Sequence, residues 1–236
     1  MVDLEHIKSF FKGRFLTQPA AIQEKLFRVK AFVFDWDGVF NNAVKDDNGS
    51  SPFNEVDAMG TNLLRFNHYL RNKHVPVTAI ISGEKNKAAF TLAQREHFEA
   101  VYYSIKNKKE ALTHLCETHS IHPQEVAYFF DDVLDLAIAE DCGLRIMMNR
   151  ASNPLLLNLV QERNMADYIT DCSGGNNGVR EGIELLTGLS ARYDDTIMQR
   201  VNNTEHYKQY LLTRNTPEVA CYTAMGSKIT LHSPQW

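Results

Sequence analysis

Asp35 and Asp37 stand one residue apart directly after the apolar run Ala31–Phe34, and Gly38 follows them. Two carboxylates this close repel each other unless a cation lies between them or one of them carries a proton. Gly38 can adopt the sharp-turn backbone that residues with a Cβ avoid. The pair therefore indicates acid–base or metal-assisted chemistry at a strand end, although the short pattern alone also fits a turn with two solvated carboxylates.

Four further polar groups occur at other predicted strand ends or helix starts: Ser82, Lys108, Asp131 and Asp135. In a parallel sheet, the carboxyl ends of all strands lie at one edge, so these groups can converge with Asp35 although the sequence separates them widely. Together they supply a nucleophile, a proton donor, oxygen ligands for a divalent cation and fixed positive charge. Phosphoryl transfer needs these groups.

The elements that must position these groups are predicted from apolar, β-prone runs that alternate with helical patterns. The predicted strands are 31–34, 75–81, 100–103, 126–130, 144–148 and a short edge strand at 167–170. The predicted helices are 57–73, 85–97, 106–119, a helix that ends near 140, 154–163 and 179–186. This alternation predicts an α/β fold with a doubly wound, Rossmann-like parallel sheet.

Three other segments complete the predicted organisation. Residues 41–57 are polar and contain Asp46-Asp47-Asn48-Gly49, which predicts a β-hairpin flap over the strand end. Residues 1–29 are predicted as an N-terminal helical extension that docks on the main domain, 30–189, or on another subunit. Residues 190–236 are predicted as a C-terminal part, with a helix over 191–212 and a tail containing one stray strand at 228–231. We expect this part to contact another subunit or to cover a neighbour's cleft.

The composition limits the classes of function. At 236 residues, with 44% hydrophobic and 23% charged residues, the chain can form one α/β domain with appendages or at most two small domains. A net charge of −4 gives no reason to propose a nucleic-acid or membrane partner. No apolar run approaches the length of a membrane span, and the N-terminus lacks a signal-peptide layout. The four cysteines form no Cys-x-x-Cys pair, so free thiols in the cytoplasm are expected.

A second group of metal-ligand residue types lies in and just after the predicted helix 106–119: His114, Cys116, His119 and His122. A metal site on a helix needs ligands three or four residues apart on one face. Residues 114, 116 and 119 do not share one face, so the spacing disfavours a metal site there.

The four polar motifs, in this order, resemble those of the haloacid dehalogenase superfamily of Mg²⁺-dependent phosphohydrolases. They are Asp35-Trp36-Asp37-Gly38 after an apolar strand, Ser82 after another strand, Lys108, and the acidic pair Asp131-x-x-x-Asp135. The resemblance covers about residues 30–187. The gaps between motifs have no room for a separate cap domain, so the resemblance implies a capless member of this superfamily.

The resemblance also implies catalytic roles. Asp35 would attack phosphorus and become a transient aspartyl phosphate. Asp37 would protonate the leaving alkoxide and then remove a proton from the hydrolytic water. Lys108 would offset negative charge on Asp35 and on the phosphoryl group, although Lys109 competes with it for this role and Lys106 is a weaker candidate.

The metal and phosphate ligands follow from the same resemblance. The implied cofactor is Mg²⁺, and the candidate metal set is Asp35, the backbone carbonyl of Trp36, Asp37, Asp131 and Asp135. Asp135 would orient a metal-bound water or Lys108, and Asp132 is interpreted as a supporting or structural residue. Ser82 and the backbone at Gly83 would bind phosphate oxygens, although a helix N-cap is an alternative role for Ser82.

Within the capless group, the chain resembles the 3-deoxy-D-manno-octulosonate 8-phosphate phosphatases. The supporting segments are Asp37-Gly38-Val39, Asp57-x-x-Gly60 and Gly174-Gly175-Asn176-Asn177-Gly178-Val179-Arg180-Glu181. This likeness implies a homotetramer in which neighbouring subunits complete each site.

The chain departs from the usual pattern of that group at four places. These are Asn41-Asn42-Ala43 after the first motif, Val56 and Glu84 in place of arginines, and Phe130 in place of glycine. Two basic positions are thereby lost, and an acidic sugar substrate would favour arginine at its carboxylate. The residues of the core chemistry are present, whereas those that would bind the rest of the substrate are altered.

We therefore predict a Mg²⁺-dependent phosphomonoesterase that hydrolyses a small phosphorylated sugar or sugar acid. Alternatives are a phosphatase of a different sugar phosphate, such as a nonulosonate 9-phosphate, and a catalytically weak scaffold or regulatory protein on the same fold. A glycosyltransferase that holds a metal–nucleotide-sugar with Asp35 and Asp37 would leave Ser82, Lys108 and Asp131 unexplained.

Overall fold

The structure, a computed structural model, describes residues 3–47, 49–226, 228–232 and 234, and these form one nine-stranded sheet flanked by helices. The strands are β1 (Arg14–Phe15), β2 (Ala31–Phe34), β3 (Val77–Ile81), β4 (Ala100–Tyr103), β5 (Val126–Phe130), β6 (Leu144–Asn149), β7 (Tyr168–Ser173), β8 (Ala220–Met225) and β9 (Lys228–Leu231). The helices are α1 (Leu4–Ser9), α2 (Pro19–Arg28), α3 (Glu55–Asn72), α4 (Lys87–Glu96), α5 (Lys108–His119), α6 (Leu136–Asp141), α7 (Pro154–Glu162), α8 (Gly178–Leu189), α9 (Tyr193–Val201) and α10 (Glu205–Arg214). Short 3₁₀ turns cover Pro123–Glu125 and Val133–Asp135.

The strand order confirms the predicted doubly wound parallel sheet. Strands lie in the order β1-β7-β6-β5-β2-β3-β4-β8-β9. The seven inner strands are parallel to one another, and the two outermost strands, β1 and β9, pair antiparallel with β7 and β8. The carboxyl ends of the parallel strands therefore lie along one edge, where ligands bind in open α/β sheets.

The central strands β2 and β5 are buried along their whole length, as expected for strands covered on both faces. Phe34 is opposite Phe129 on one side and Ile80 on the other, and separate apolar clusters fill the two faces of the sheet. The pairing continues one residue beyond β2, because Asp35 N donates to Phe129 O over 2.9 Å. The core thereby fixes the backbone of Asp35.

Asparagine side chains determine where the helices near this edge begin. Asn54, Asn86 and Asn107 are the N-caps of α3, α4 and α5, and each side chain accepts a backbone N–H of its helix. Such caps satisfy amides that would otherwise have no partner at a helix start. Because Asn107 caps α5, Lys108 is the first residue of that helix and lies at the carboxyl edge of the sheet.

The predicted flap is a loop in the structure. The described residues between Gly38 and α3 contain no strand, although Asp46 N donates to Ser50 O over 2.7 Å at the predicted turn. Asn48 of that turn lies outside the described residues. Some polar side chains of the loop accept backbone N–H groups of the loop itself, as Asp46 Oδ1 accepts Ser50 N at 2.8 Å, and others bond to neighbouring elements, as Ser50 Oγ does with Asn86 Oδ1 at 3.0 Å. This explains why the turn signal produces no two-stranded hairpin in this chain.

The predictions for both ends of the sheet need correction. Strand β7 was predicted at an edge, but Arg14–Phe15 from the N-terminal extension pairs with it. The single helix predicted over 191–212 is two helices, α9 and α10, separated by residues 202–204. The predicted stray strand at 228–231 is β9, which pairs with β8, and β8 in turn joins the sheet beside β4. Strand β8 itself was not predicted.

Three sequence-based expectations concern the membrane, the cysteines and the histidine group. Among the described residues, no helix is long and apolar enough to cross a membrane. All four cysteines are unpaired, as expected. His114 Nδ1 lies 2.9 Å from Tyr102 Oη, and the histidine–cysteine group forms no metal-ligand cluster in the described part of the chain.

Buried His68 on α3 makes the stability of the fold sensitive to acid. Its Nε2 lies 2.9 Å from Asn72 Nδ2, and burial lowers the pKa of the imidazole to about 3, with Arg71 and His74 adding repulsion. Below pH 6.5 the unfolded chain binds a proton that the folded chain excludes, so stability is lost as the pH falls from about 6.5 towards 3. At pH 5 this loss should be about 2 kcal/mol.

The unfolding free energy, measured by urea denaturation, should be lower at pH 5 than at pH 7. We expect this difference to be about 2 kcal/mol smaller in His68→Gln than in the unmodified chain. The glutamine keeps a polar group near Asn72 and cannot titrate. The matched control is His206→Gln, because His206 is exposed on α10. If His68→Gln and His206→Gln lost the same unfolding free energy between pH 7 and pH 5, His68 would not be the cause of the acid sensitivity.

Candidate active site

Lys108 joins two carboxylates at the carboxyl edge of the sheet. Its Nζ donates to Asp35 Oδ1 over 2.6 Å and to Asp135 Oδ1 over 2.5 Å, and all three side chains are buried. Tyr128 Oη donates to the same oxygen of Asp135 over 2.6 Å. Lys109, which competed for this position, instead pairs with Asp141 on the surface at 3.0 Å. The structure thus brings Lys108, and not Lys109, to Asp35.

Asp131 completes a group of three buried carboxylates with Asp35 and Asp135. One oxygen from each lies within 4.8 Å of one from each of the others, a spacing at which they could hold a metal ion. Asp131 Oδ1 is buried and has no hydrogen-bond partner among the described residues. A buried acceptor without a partner is costly unless something binds there. Three carboxylates are hard oxygen ligands, so the residues present fit a divalent cation such as Mg²⁺.

The electrostatics of this group lead to the same inference. The pKa of Asp131 is raised to about 8, first by burial and then by the neighbouring Asp35 charge, and Arg150 opposes the shift. Burial also raises the pKa of Asp35, although Lys108 favours its charged form. Burial disfavours the Lys108 ammonium, yet the charges of Asp35 and Asp135 raise its pKa. A bound divalent cation would stabilise the carboxylates in their ionised form.

The Trp36 carbonyl, predicted as a metal ligand, is not available for this role. Its oxygen accepts the backbone N–H groups of Val39 and Phe40 at 3.2 and 3.1 Å, and Asn41 Nδ2 at 3.1 Å. The turn after β2 directs this carbonyl towards its own donors. The Trp36 ring is fully buried, stacks on Phe40 and donates from Nε1 to Ser51 O, so the residue has a structural role.

Asp37 lies apart from the three-carboxylate group. Its Oδ2 pairs with Lys45 Nζ and its Oδ1 accepts Ser51 Oγ, each at 2.6 Å. The Asp37 carboxylate, placed in the predicted metal set, is therefore not among the three clustered carboxylates in the described part of the chain. Its carboxylate is partly exposed beside the loop that follows the first motif. That position is compatible with the predicted acid–base role.

Ser82 and Gly83 follow β3 at the same edge. Ser82 is buried, and its Oγ accepts Glu84 N at 3.2 Å. The alternative N-cap role for Ser82 is wrong, because α4 begins after Asn86. Gly83 is exposed, and a methyl group added to it would meet Ile105 O at 3.8 Å, within ordinary contact distance.

The two residues that stand in place of arginines, Val56 and Glu84, are both exposed in the structure. Val56 is 48% exposed at the start of α3, and Glu84 lies on the surface after Ser82. Asp132 is the N-cap of a 3₁₀ turn, where its side chain accepts Val133 N at 2.7 Å. This contact agrees with its interpretation as a structural residue.

Sequence reasoning missed several polar groups around the site. They are Lys45, Ser51, Asn86, Tyr128 and Arg150. Arg150 could have been found, because it follows β6 at the carboxyl edge and all groups at that edge are candidates. Tyr128 lies inside an apolar strand, where nothing in the pattern distinguishes a tyrosine that bonds to a carboxylate.

The segment 174–181 packs against the loop of the first motif. Any side chain at Gly174 would overlap Gly38 O, and Gly175, at φ +71°, donates its N–H to Val39 O over 3.2 Å. Arg180 N donates to Asp57 Oδ1 over 2.8 Å, so the same segment is tied to α3. The two glycines are therefore required by close approach of two backbones.

Comparisons with known proteins agree with the fold. No protein-family model matches the chain. The 3-deoxy-D-manno-octulosonate 8-phosphate phosphatase KdsC of Escherichia coli K12 is 28% identical over 186 residues, which span 77% of this chain and 92% of the relative.

Solved structures give the same result. The 3-deoxy-D-manno-octulosonate 8-phosphate phosphatase of Moraxella catarrhalis, solved with magnesium, phosphate and KDO, aligns with a TM-score of 0.62 at 25% identity. The alignment covers 76% of this chain and 97% of that protein. A Legionella pneumophila protein described as a HAD superfamily hydrolase shares the fold, with a TM-score of 0.64 at 24% identity over 78% of this chain and 95% of its own. Together with the four motifs, these likenesses support a phosphatase that is similar to the 3-deoxy-D-manno-octulosonate 8-phosphate phosphatases and has the fold of haloacid dehalogenase superfamily hydrolases.

Proposed function

We propose that the chain hydrolyses the phosphate monoester of a small phosphorylated sugar or sugar acid, with Mg²⁺ as cofactor and a covalent phosphate on Asp35 as intermediate. The observation that carries this proposal is the buried contact of Lys108 with both Asp35 and Asp135, next to Asp131. This arrangement brings together a nucleophile, Asp35, a fixed positive charge, Lys108, and carboxylate oxygens that could bind a metal ion. The similarity to KdsC gives the substrate class.

In the first step, a carboxylate oxygen of Asp35 attacks phosphorus and the bond from phosphorus to the sugar oxygen breaks. Asp37 gives its proton to that leaving oxygen. In the second step, Asp37 takes a proton from water, the water oxygen bonds to phosphorus, and the bond to Asp35 breaks. Lys108 holds Asp35 in place throughout, and the core hydrogen bond from Asp35 N to Phe129 O fixes its backbone.

Asp35, Asp131 and Asp135 would hold Mg²⁺, with Asp135 acting directly or through a bound water. When bound, the ion would gather phosphate oxygens and offset the charge that develops on them. Ser82 and the Gly83 backbone would donate to phosphate oxygens at the opposite side of the site. The exposed position of Gly83 directly after Ser82 supports this role.

The substrate beyond its phosphate is proposed from two observations. The named relatives act on an eight-carbon keto-sugar acid phosphate. In this chain Val56 and Glu84 replace two arginines of the group's usual pattern, whereas Lys45 lies beside Asp37 at the open side of the site. We therefore include other sugar phosphates, such as a nonulosonate 9-phosphate, within the proposed class.

We also propose a cytoplasmic homo-oligomer, most simply a tetramer, in which a neighbour closes the site. Val133 and Leu134 support this, because these apolar side chains are 58% and 76% exposed directly after Asp131 and Asp132. The unpaired cysteines are consistent with a reducing compartment. Light scattering on the purified chain tests the proposed assembly, and a stable monomer would contradict it.

The test of the activity is a panel of phosphate esters weighted towards keto-sugar-acid phosphates, assayed with Mg²⁺ and with EDTA. We expect phosphate release from at least one sugar phosphate and loss of that release in EDTA. If no ester gave metal-dependent turnover, the scaffold alternative would replace the enzymatic one. A beryllofluoride adduct trapped on Asp35 would distinguish a reactive site from a catalytically inactive one, and this test does not require the substrate to be known.

A further inference from the structure

Arg150 lies at the candidate active site although no motif includes it. The residue follows β6, and its Nη2 is 2.6 Å from Asp131 Oδ2. Asp131 is buried, whereas the Arg150 side chain is 27% exposed. An arginine that partly reaches solvent is therefore paired with a buried carboxylate of the metal-ligand group.

The two oxygens of Asp131 are in different situations. Oδ2 is paired with Arg150, whereas Oδ1 is buried and without a partner among the described residues. A contact on one oxygen fixes the rotation of the carboxylate and hence the direction of the other oxygen. Groups that hold metal ligands in this way orient them and tune the affinity of the site.

The loop of the first motif leaves room for this ion pair. Gly38 has φ +89°, and a methyl group added there would overlap both Arg150 Nη2 and Asp131 Oδ2. The guanidinium therefore lies directly against the loop that carries Asp35 and Asp37. This close approach is a second reason, besides the turn, for a glycine at residue 38.

We propose that Arg150 is a positioning residue for the divalent cation, which holds the Asp131 carboxylate in an orientation that leaves its oxygen Oδ1 free to bind the ion. This inference rests on the proposed function, because it needs a cation at the three-carboxylate group. Arg150 does not contact the reacting atoms in this role. Its loss should weaken metal binding about 10–100-fold, the range typical for residues that support metal ligands.

The experiment is calorimetric titration of Mg²⁺ into the metal-free chain and three variants. Arg150→Gln should bind Mg²⁺ about 10–100-fold more weakly, and Arg150→Lys should lie between it and the unmodified chain because it keeps the charge. The matched control is Arg192→Gln, which removes the surface pair with Asp195 at 2.9 Å and should bind Mg²⁺ like the unmodified chain.

Thermal unfolding with and without Mg²⁺ separates positioning from a purely structural role. In EDTA the midpoint of Arg150→Gln should lie below that of the unmodified chain, because buried Asp131 loses its partner, and its rise on addition of Mg²⁺ should also be smaller. If Arg150→Gln and Arg150→Lys bound Mg²⁺ as tightly as the unmodified chain or more tightly, the role of Arg150 would be wrong, but the proposed function would stand. If the unmodified chain bound no Mg²⁺, the proposed metal site would fail and this inference with it.

Discussion

Asp35→Asn should abolish phosphate release, with a fall in kcat of at least about 10⁴-fold. The amide has nearly the shape of the carboxylate, but it is not a nucleophile and cannot form the covalent phosphate. It also replaces one of the three carboxylates that would hold the cation, and one of the two carboxylates that accept from Lys108, with a neutral amide. Steady-state release of phosphate from the best ester of the panel measures the effect.

Asp132→Asn is the matched control for this variant. Asp132 is adjacent to Asp131, but its side chain caps a 3₁₀ turn, and the amide oxygen of asparagine can still accept Val133 N. We expect kcat within about threefold of the unmodified chain, because surface changes of this kind alter little. Residual turnover above about 1% in Asp35→Asn would contradict the nucleophilic role. A loss in Asp132→Asn as large as that in Asp35→Asn would contradict the proposed metal set.

The convergence of the charged residues could be predicted from the sequence because strand polarity determines it. Asp35 follows β2 and Asp131 follows β5, and these strands are neighbours in a parallel sheet. The alternation of strands and helices predicts that sheet, so side chains 96 positions apart were expected at one edge. The resemblance favours Lys108 over Lys109, because the sequence distance from Lys108 to Asp131 matches that of the phosphatases it resembles. Helix geometry supports the choice because adjacent residues point in different directions.

The errors arose where tertiary contacts override a local pattern. The Trp36 carbonyl has the right sequence position for a ligand, but the turn to Phe40 uses its lone pairs. The turn signal at Asp46 is present in the structure, yet the loop around it bonds to the ends of other elements instead of forming strands. Neither outcome follows from residue types alone.

Strand β8 was missed because its sequence lacks a pattern that favours a strand. It reads Ala-Cys-Tyr-Thr-Ala-Met, without strict alternation and with small residues that pack little surface. Contacts with distant residues stabilise it: Tyr222 stacks on Tyr102 at 5.0 Å, and Arg214 just before it pairs with Glu96 at 2.7 Å. Long-range pairing of this kind cannot be derived from one segment.

Lys108→Met should lower kcat about 10³-fold, whereas Lys109→Met should leave it nearly unchanged. Methionine has about the length of lysine but no charge, so Lys108→Met leaves Asp35 and Asp135 buried without their shared cation. Lys109→Met removes a surface contact with Asp141 at 3.0 Å, which should contribute less than about 1 kcal/mol. The two variants make the same change at adjacent positions of one helix.

The comparison needs a check on folding, because loss of one partner from a buried charged group can cost about 3–5 kcal/mol. Circular dichroism and the unfolding midpoint should show that both variants are folded at the assay temperature, with Lys108→Met the less stable. We expect the loss in kcat to persist at saturating Mg²⁺, because the metal cannot replace a cation bonded to the nucleophile itself. If high Mg²⁺ restored kcat fully in Lys108→Met, or if kcat fell equally in Lys109→Met, the contact between Lys108 and Asp35 would not account for the loss in kcat.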